Sequence, residues 1–232
     1  MNNEGKVVIE LNNITKSYGS KNTLVVAIKE LNYIVREKEF IAIMGQSGSG
    51  KTTLLHVLGC LHRPTGGDYI LEGINVSTLK GDDLARIRNQ KIGFIFQKFN
   101  LLNGYNIIKN VELPLQYMSV EKSERQDRAV EMLKKVGLGD RLHHKPSELS
   151  GGQAQRVAIA RALVTNPAII LGDEMTGNLD SKTSEEIMEF MKQLNAEGRT
   201  ILFVTHTPEI GAYAQKIIEM RDGFILKEVL NR

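Results

Sequence analysis

A short apolar run that leads into a glycine-rich loop constrains the fold of this chain more than any other feature of its sequence. The run Phe40–Met44 is predicted to be a strand, and Lys51–Leu61 is predicted to be a helix. Between them, residues Gly45–Thr52 read G-Q-S-G-S-G-K-T and match G-x-x-x-x-G-K-[ST] in the strand-to-helix context that this pattern requires. A chance match in a chain of this length has a probability of about one in a hundred. A loop that binds phosphate is therefore favoured over an ordinary Gly/Ser turn.

The residue types in this loop suit a phosphate group. Gly48 and Gly50 allow backbone angles and close approaches that a Cβ atom would prevent. Consecutive N–H groups and the N-terminus of the following helix can then point at phosphate oxygens. Lys51 adds a cation that can reach the β- and γ-phosphates, and the Thr52 hydroxyl can ligate Mg²⁺. The loop predicts nucleotide binding.

Apolar β-branched runs alternate with helical patterns along most of the chain, which is typical of an α/β fold. Short, nearly continuous apolar runs such as Phe40–Met44 suit a parallel sheet that is buried on both faces. The predicted strands are Val7–Leu11, Val25–Val35, Phe40–Met44, Asp68–Leu71, Ile92–Phe96, Ala168–Gly172, Thr200–Val204 and Lys216–Met220. The predicted helices are Lys51–Leu61, Glu121–Val136, Ser150–Leu163, Ser181–Asn195 and Pro208–Tyr213.

The middle of the chain differs from its two ends. Strand signals vanish from about Lys98 to Leu163, and Glu121–Val136 carries apolar residues at helical spacing with Gly137 in the position of a C-terminal cap. We therefore expect one nucleotide-binding domain with an α/β core in two segments, residues 1–97 and 164–232. A helical subdomain at residues 98–163 is expected to interrupt this core.

Composition excludes several classes of protein. The 232 residues are 41% hydrophobic and 25% charged, which is typical of a globular chain. The longest uncharged runs fall well short of the ~20 apolar residues that span a bilayer, and residues 1–6 lack the pattern of a secretory leader. The lone cysteine, Cys60, is consistent with a reducing cytosol, so we expect a cytoplasmic location. A net charge of +3 with no basic stripe leads us to expect no nucleic-acid partner.

Two carboxylates follow the predicted strand Ala168–Gly172. Asp173, at the end of a strand beside the phosphate loop, could hold Mg²⁺ directly or through water. Glu174 could orient or deprotonate an attacking water. Strands often end in acidic turns, so the pair indicates catalysis only because it accompanies the phosphate loop.

A second candidate anion site lies at the start of the predicted helix Ser150–Leu163. The segment Leu149–Gln153 reads L-S-G-G-Q, in which Ser150 is a plausible N-cap and two glycines leave the N–H groups of the helix unobstructed. An alternative is a Ser-Gly-Gly turn that only caps a core helix. That alternative explains the helix but not its coincidence with the phosphate loop.

With these motifs in this order, the chain resembles the ATP-binding cassette (ABC) ATPases over nearly its whole length. The resemblance implies a P-loop NTPase (RecA-like) core with an antiparallel β subdomain and an inserted α-helical subdomain. It also implies that two subunits pack head to tail, so that the signature residues Ser150, Gly151, Gly152 and Gln153 act in trans on a nucleotide bound at Gly45–Thr53. A second copy of the chain is therefore expected as a partner, in an ATP-dependent homodimer.

The resemblance implies roles for four further residues. Tyr18 is similar to the aromatic residue that stacks on adenine, and Gln97 to the residue that reaches Mg²⁺ and the attacking water. Asp180 resembles a contact to the opposite subunit, and His206 resembles the switch histidine that contacts the γ-phosphate. Taken alone, Tyr18 and His206 would be unremarkable residues at strand ends.

The expected sites are three overlapping sets. The catalytic set is Glu174, His206, Gln97 and Lys51. The set expected to hold Mg²⁺ is Thr52, Gln97 and Asp173. The set expected to bind ATP is Tyr18, Gly45, Gln46, Ser47, Gly48, Ser49, Gly50, Lys51, Thr52, Thr53, Gln97, Asp173, His206 and, in trans, Ser150, Gly151, Gly152 and Gln153. No metal role is expected for His56, His62, His143 and His144, whose spacing suggests none.

The chain departs from the family pattern at two positions. Met175 follows Glu174 where most members carry proline, and Thr207 follows His206 where aspartate is common. Neither departure removes a group that performs chemistry, so ATP hydrolysis is still expected. Both could change the rate or the stiffness of a loop.

Within the family, Lys98–Leu102 and Asn110–Leu115 most resemble the LolD/MacB/FtsE-like branch, which includes lipoprotein-release, macrolide- or peptide-export and cell-division ATPases. This resemblance implies the energy subunit of a transporter, located on the cytoplasmic face of the inner membrane and driving a separate transmembrane permease. One alternative is a soluble ABC ATPase that acts on DNA or ribosomes. Another is a signalling or cell-wall-regulating complex.

Overall fold

A six-stranded sheet that is mostly parallel forms the centre of the fold, and a four-stranded antiparallel sheet packs beside it. The computed structural model describes residues 5–20 and 23–231. Outside the described residues lie 1–4, 21, 22 and 232. Residues 1–4 begin the predicted core segment and belong to the region considered for a leader. The strands are β1 (Val7–Tyr18), β2 (Val25–Arg36), β3 (Phe40–Met44), β4 (Gly66–Leu71), β5 (Ile74–Asn75), β6 (Ile92–Ile95), β7 (Ile169–Asp173), β8 (Ile201–Val204), β9 (Lys216–Arg221) and β10 (Phe224–Leu230). The helices are α1 (Lys51–Leu58), α2 (Gly81–Lys91), α3 (Ile107–Tyr117), α4 (Lys122–Lys135), α5 (Gly151–Leu163), α6 (Ser181–Ala196) and α7 (Pro208–Gly211).

The central sheet has the strand order β10-β9-β3-β8-β7-β6. All neighbouring pairs are parallel except β10 with β9, which form an antiparallel hairpin. The second sheet has the order β2-β1-β4-β5, and its neighbours are all antiparallel. The predicted α/β core with an antiparallel β subdomain is confirmed.

The central strands are buried on both faces, as their continuous apolar sequences predict. In β3, Phe40 and Ala42 face one core cluster, while Ile41 and Ile43 face the other. The first cluster lies between the sheet and helices α3, α4, α5 and α6, and the second lies between the sheet, α1 and the antiparallel strands. The helices of residues 98–163 therefore share a core with the sheet.

Residues 98–163 contain only helices and turns, as the loss of strand signals predicts. Helix α4 ends as expected, because Gly137 has a φ of 78° and the N–H of Leu138 donates to the carbonyl of Leu133 over 2.8 Å. Helix α3 is absent from the sequence prediction, since Pro114 interrupts its pattern. Its N-cap is nevertheless clear in the structure, where the Asn106 side chain accepts from the amide of Lys109.

Other elements also differ from the sequence prediction; for example, β1 extends to Tyr18 rather than Leu11, and α7 ends at Gly211 rather than Tyr213. The helix after the phosphate loop ends at Leu58 rather than Leu61, because Cys60 takes a positive φ of 53°. Helix α2 was missed because none of its residues is fully buried, so that it has no apolar periodicity to read. Strand β10 was missed because it is an edge strand whose side chains are mostly exposed. Cys60 itself is buried, as expected of a small core residue.

Across the described parts of the chain, every helix is too short or too polar to cross a lipid bilayer.

Candidate active site

The carboxyl ends of four neighbouring parallel strands bring most of the predicted catalytic residues to one edge of the sheet. The phosphate loop follows β3, Glu174 follows β7, His206 lies just beyond β8, and Gln97 lies just beyond β6. The strands are in register, since Val204 in β8 pairs with Ile43 on one side and with Asp173 on the other. Ligands of open α/β sheets bind at this edge.

The structure shows why the phosphate loop contains glycines at particular positions. Gly48 and Gly50 have φ angles of 78° and 100°, in the region that disfavours any residue with a Cβ atom. At Gly45, with a φ of 147°, a Cβ atom would lie 2.1 Å from the main-chain oxygen of Met220 in β9. The loop conformation therefore depends on a close approach to a neighbouring strand as well as on local backbone angles.

The Lys51 side chain folds back along the phosphate loop. Its Nζ atom donates to the carbonyls of Gly45 and Gln46, both over 2.8 Å. Burial lowers the pKa of the Lys51 ammonium from its usual value, while the Glu174 and Asp173 carboxylates act in the opposite direction. The ammonium is thus hydrogen-bonded to the loop and lies near enough to interact with Glu174, assigned to catalysis, and Asp173, assigned to Mg²⁺.

The other loop residues differ in accessibility. Ser49 is buried beneath the loop, and its amide donates to the carbonyl of Gln46. Exposed positions in the loop and the first turn of α1 are Gln46, Ser47, Gly48 and Thr52. Thr53 is half-buried. The Thr52 hydroxyl is therefore open to a ligand that approaches the start of the helix.

Two side chains hold the carboxylate of Glu174, one at each oxygen. The Nε2 atom of Gln97 donates to Oε2 over 3.1 Å, and the Nδ1 atom of His206 lies 3.0 Å from Oε1. The backbone of Glu174 is in the left-handed region with a φ of 42°, which is uncommon for a residue other than glycine and clusters at functional sites. Its amide donates to the carbonyl of Val204, so β8 holds this strained turn in place.

Asp173 is half-buried beside Glu174. Burial raises the pKa of the Asp173 carboxyl above its usual value; the Glu174 charge acts in the same direction, and His56 and Lys51 act against it. The Nε2 atom of His56 lies 3.9 Å from Oδ2 of Asp173. The sequence pattern predicts no role for His56, because no spacing in the sequence relates a residue of α1 to the end of β7.

The oxygen donors near this edge are a hydroxyl on Thr52, a carboxylate on Asp173 and an amide oxygen on Gln97. Hard cations such as Mg²⁺ prefer oxygen donors of these kinds. Among residues 5–20 and 23–231, no group of three or more His, Cys, Asp or Glu side chains is arranged to hold a metal. A mixed set of oxygen donors is therefore a better fit to the described chain than a cluster of histidines, thiols and carboxylates.

The signature loop begins α5 with a reciprocal cap. The Ser150 hydroxyl accepts from the amide of Gln153 over 3.3 Å, and the Gln153 side chain accepts from the amide of Ser150 over 3.0 Å. A Cβ atom on Gly152 would clash with the Thr183 side chain at 2.4 Å, so its glycine is required within the subunit. Gly151 is different, because it is exposed. The nearest atom to a Cβ atom there would be Cδ2 of Leu179, at the ordinary van der Waals distance of 3.4 Å.

Two predicted contact residues have partners within the subunit. Asp180 is the N-cap of α6, where its carboxylate accepts from the Thr183 amide over 3.0 Å and from the Thr183 hydroxyl over 2.6 Å. These hydrogen bonds lower the pKa of the Asp180 carboxyl. Tyr18, at the end of β1, shares a 2.8 Å hydrogen bond between its hydroxyl and Nδ1 of His62, and the Lys16 ammonium lies 4.9 Å from the centre of its ring.

The amide of Gln155, which sequence analysis missed, joins the signature helix to the turn that carries Glu174. Gln155 is fully buried in α5, and its Nε2 atom donates to the main-chain oxygen of Met175 over 2.6 Å. Met175, where the chain departs from the family pattern, is itself buried, so its apolar side chain packs in the core. No local pattern relates these residues, which lie 20 positions apart.

Comparison with known proteins gives a consistent result. The family model described as "ABC transporter" matches residues 28–177. A protein of Bacillus subtilis named as the uncharacterized ABC transporter ATP-binding protein YknY is 50% identical over 94% of this chain and 95% of its own length. The macrolide export ATP-binding/permease protein MacB of Hyphomonas neptunium is 48% identical over 97% of this chain, which spans only 35% of the length of that protein.

A solved structure is similar along almost the whole chain. It is the dimeric post-hydrolysis state of the ATP-binding cassette MJ0796 bound to ADP and Pi, which is 44% identical, with a TM-score of 0.88 over 97% of this chain and 99% of the other.

Proposed function

Because this chain belongs to the ABC transporter family, we propose that it binds and hydrolyses ATP to drive a separate membrane permease. The family membership follows from the match over residues 28–177 and confirms the resemblance that the sequence motifs predict. The observation that carries the proposed reaction is the arrangement of Glu174 between Gln97 and His206, at the same sheet edge as Lys51.

The proposed reaction is in-line attack of water on the γ-phosphate of ATP. Glu174 orients and deprotonates the water, and its two hydrogen bonds hold the carboxylate in one direction. The ammonium of Lys51 and the main-chain amides of the loop stabilise charge on the phosphoryl oxygens. His206 is exposed and binds the oxygen of Glu174 that Gln97 does not, and there it can also contact the γ-phosphate. The exposed ring of Tyr18 is proposed to stack on adenine.

Thr52, Asp173 and Gln97 are the residues proposed to hold Mg²⁺. When bound, the ion would supply positive charge that offsets the negative charge of the phosphate groups. The donor types support this assignment, and the Nε2 atom of Gln97 bonds Glu174, which leaves the amide oxygen of Gln97 free to face a cation.

We further propose that Ser150, Gly151, Gly152 and Gln153 complete the nucleotide site of a second copy of the chain. The supporting observation is Gly151, whose own subunit demands no glycine: its φ is not in the left-handed region and no close contact surrounds it. A close approach by an outside group gives the missing reason for a glycine at this position. The dimeric state of the similar MJ0796 cassette agrees with such a partner. Asp180, already held as a helix cap, lies exposed near this surface as a proposed contact to the second subunit.

The membrane partner and the cellular location of the chain are proposed from its relatives. The names of MacB relatives combine an ATP-binding and a permease function in one longer protein. By analogy, this chain would act on a separate permease through residues 98–163, at the cytoplasmic face of the membrane, in an export, lipoprotein-release or mechanotransmission system. An ATPase that acts on DNA or ribosomes, or a complex for signalling or cell-wall regulation, would differ in what stimulates hydrolysis.

The test is the substitution Glu174→Gln, which removes the base but retains the size and polarity of the side chain. With ATP and Mg²⁺ the variant is expected to form a stable dimer and to hydrolyse ATP at least ~10²-fold more slowly than wild type. Sedimentation velocity and phosphate release measure the two properties. A variant that stays monomeric with ATP and hydrolyses at the wild-type rate would contradict the proposal. Stimulation of the wild-type ATPase by DNA or ribosomes, with no membrane protein co-purifying, would favour the soluble alternative.

A further inference from the structure

A half-buried cation on the signature helix binds main-chain oxygens instead of a described acidic side chain. Arg161 lies in the last turn of α5, and burial lowers the pKa of its guanidinium. No described carboxylate forms an ion pair with it. Its Nη1 atom instead donates to the main-chain oxygen of Asn100 and its Nη2 atom to that of Phe99, both over 2.7 Å. A guanidinium is a rigid fork of donors, so it binds two adjacent carbonyls in one fixed geometry.

The loop that Arg161 binds has an unfavourable backbone conformation. Phe99 and Asn100 are consecutive residues with positive φ angles of 28° and 51°. Residues other than glycine adopt this region as isolated exceptions, and such conformations persist only where the surroundings enforce them. The two hydrogen bonds from Arg161 are a direct means of enforcement, because they act on the carbonyls of the two unfavourable residues.

This loop connects the catalytic carboxylate to the signature segment. At its start, Gln97 donates to Glu174 through its side chain, while its carbonyl accepts from the Asn178 side chain over 2.9 Å. Two residues later, the ring of Phe99 lies beside the signature glycine, with its Cζ atom 3.9 Å from the position of a Cβ atom on Gly151. Arg161 and Gly151 belong to the same helix, so α5 lies against the Phe99–Asn100 segment of the loop at two points, the ring of Phe99 and the two carbonyls.

We propose that Arg161 is a positioning residue that acts through this loop to keep Gln97 against Glu174. The proposal rests on the proposed ATPase function and adds a residue that touches neither nucleotide nor water. Without the guanidinium, the carbonyls of Phe99 and Asn100 lose their partners, the backbone relaxes, and Gln97 shifts away from the carboxylate. Arg161 forms its described hydrogen bonds with Phe99 and Asn100 and not with the phosphate loop, so the affinity for ATP in the absence of Mg²⁺ is expected to be unaffected.

The variant Arg161→Met keeps a long side chain in the same space and removes both hydrogen bonds. Its kcat is expected to fall by about 10²-fold, because small misplacements of a catalytic group have effects of that size. The Kd of a fluorescent ATP analogue, measured without Mg²⁺, is expected to stay within about twofold of wild type. The matched control is Arg156→Met on the same helix, since Arg156 binds Glu186 and the carbonyl of Val136 instead of the loop. Its kcat is expected to match that of wild type.

A double-mutant cycle with Gln97→Ala tests whether Arg161 acts through Gln97. Since Gln97→Ala already removes the contact to Glu174, adding Arg161→Met to it is expected to change kcat by less than about threefold. An equal loss of kcat in both backgrounds would overturn the proposal, as would a wild-type kcat in Arg161→Met or an equal loss in Arg156→Met.

Thermal unfolding of each variant separates a local effect from loss of the fold. If Arg161→Met does not fold, Arg161→Gln replaces it, because a shorter amide retains polarity without the fork. A lowered kcat with unchanged ATP affinity in that variant supports the proposal, and an unchanged kcat overturns it. Failure of the wild-type chain to hydrolyse ATP would instead contradict the ATPase function itself.

Discussion

The Nδ1 atom of His206 lies 3.0 Å from Oε1 of Glu174, which joins the ends of β8 and β7 across the candidate active site. The imidazole is mostly exposed, with 66% of its side-chain surface accessible, while 27% of the Glu174 side chain is accessible. The histidine therefore covers one oxygen of the carboxylate from the solvent side. Gln97 holds the other oxygen, so the direction of the carboxylate depends on two separate strand ends.

Replacing His206 by alanine is expected to lower kcat by about 10²-fold, because Glu174 loses one of the two groups that orient it. The free energy of unfolding is expected to change by less than ~0.5 kcal/mol, since the ring is exposed. Phosphate release and urea denaturation measure the two effects. His143, an exposed histidine outside the site, provides the control His143→Ala with wild-type kcat. A wild-type rate in His206→Ala would mean that Gln97 alone suffices to orient the carboxylate.

Gly151→Ala tests whether glycine at this position is required for the folding of one subunit or for dimerisation. Its own subunit has room for the extra methyl group, so the free energy of unfolding is expected to stay within ~0.5 kcal/mol of the parent. In a Glu174→Gln background, the same change is expected to weaken ATP-dependent dimerisation by at least tenfold, as measured by sedimentation velocity. The control is Gly104→Ala, at an exposed glycine with no atom within 4 Å of its Cβ position. Unimpaired dimerisation of Gly151→Ala would argue against a close approach of the partner at this residue.

Gly45→Ala and Gly48→Ala are expected to differ in stability. At Gly45 the new Cβ atom meets the Met220 carbonyl at 2.1 Å in addition to the unfavourable φ, which should cost about 2 kcal/mol or more. At Gly48 nothing lies within 4 Å, so only the left-handed backbone contributes, about 1 kcal/mol. Urea denaturation without nucleotide measures both losses. Equal losses would show that the neighbouring strand yields to the methyl group.

Acid is expected to destabilise the protein in part through His62. Burial lowers the pKa of the His62 imidazole below its ordinary value of 6.5, and the nearby His56 and Lys16 charges act in the same direction. As pH falls through about 6.5, the unfolded chain takes up a proton that the folded chain does not, so the free energy of unfolding falls. The loss of unfolding free energy reaches its full size only when the pH is below the lowered pKa of His62 in the folded state.

The variant His62→Asn isolates this contribution from those of other groups. Asp173, for example, has a raised pKa, so its protonation at lower pH increases the free energy of unfolding, opposite to the effect of His62. Between pH 7.5 and 5.5 the wild type is expected to lose more unfolding free energy than His62→Asn in parallel urea titrations. Parallel pH dependence of the two proteins would show that the His62 pKa is not lowered in the folded state.

Much of the fold and the position of the site could be predicted from local patterns. Apolar runs predict the central strands because burial on both faces requires apolar residues at every position, and the phosphate loop is legible because its glycines and lysine are adjacent in sequence. The reciprocal cap of Ser150 and Gln153 is legible for the same reason. Helix α3 and strand β10 were not predictable, since a proline breaks the first pattern and exposure removes the second.

Local sequence patterns therefore predict the class of fold, the edge of the sheet where chemistry occurs and the family to which the chain belongs. The long-range contacts become visible in the three-dimensional fold: His206 and Gln97 on the two oxygens of Glu174, Gln155 on the Met175 carbonyl, and Arg161 on the loop after Gln97. The physical reason is the range of the interactions. Burial and backbone preference act on neighbouring residues and leave a periodic trace, whereas a hydrogen bond between side chains on separate strands depends on sheet order and register, which no local pattern encodes.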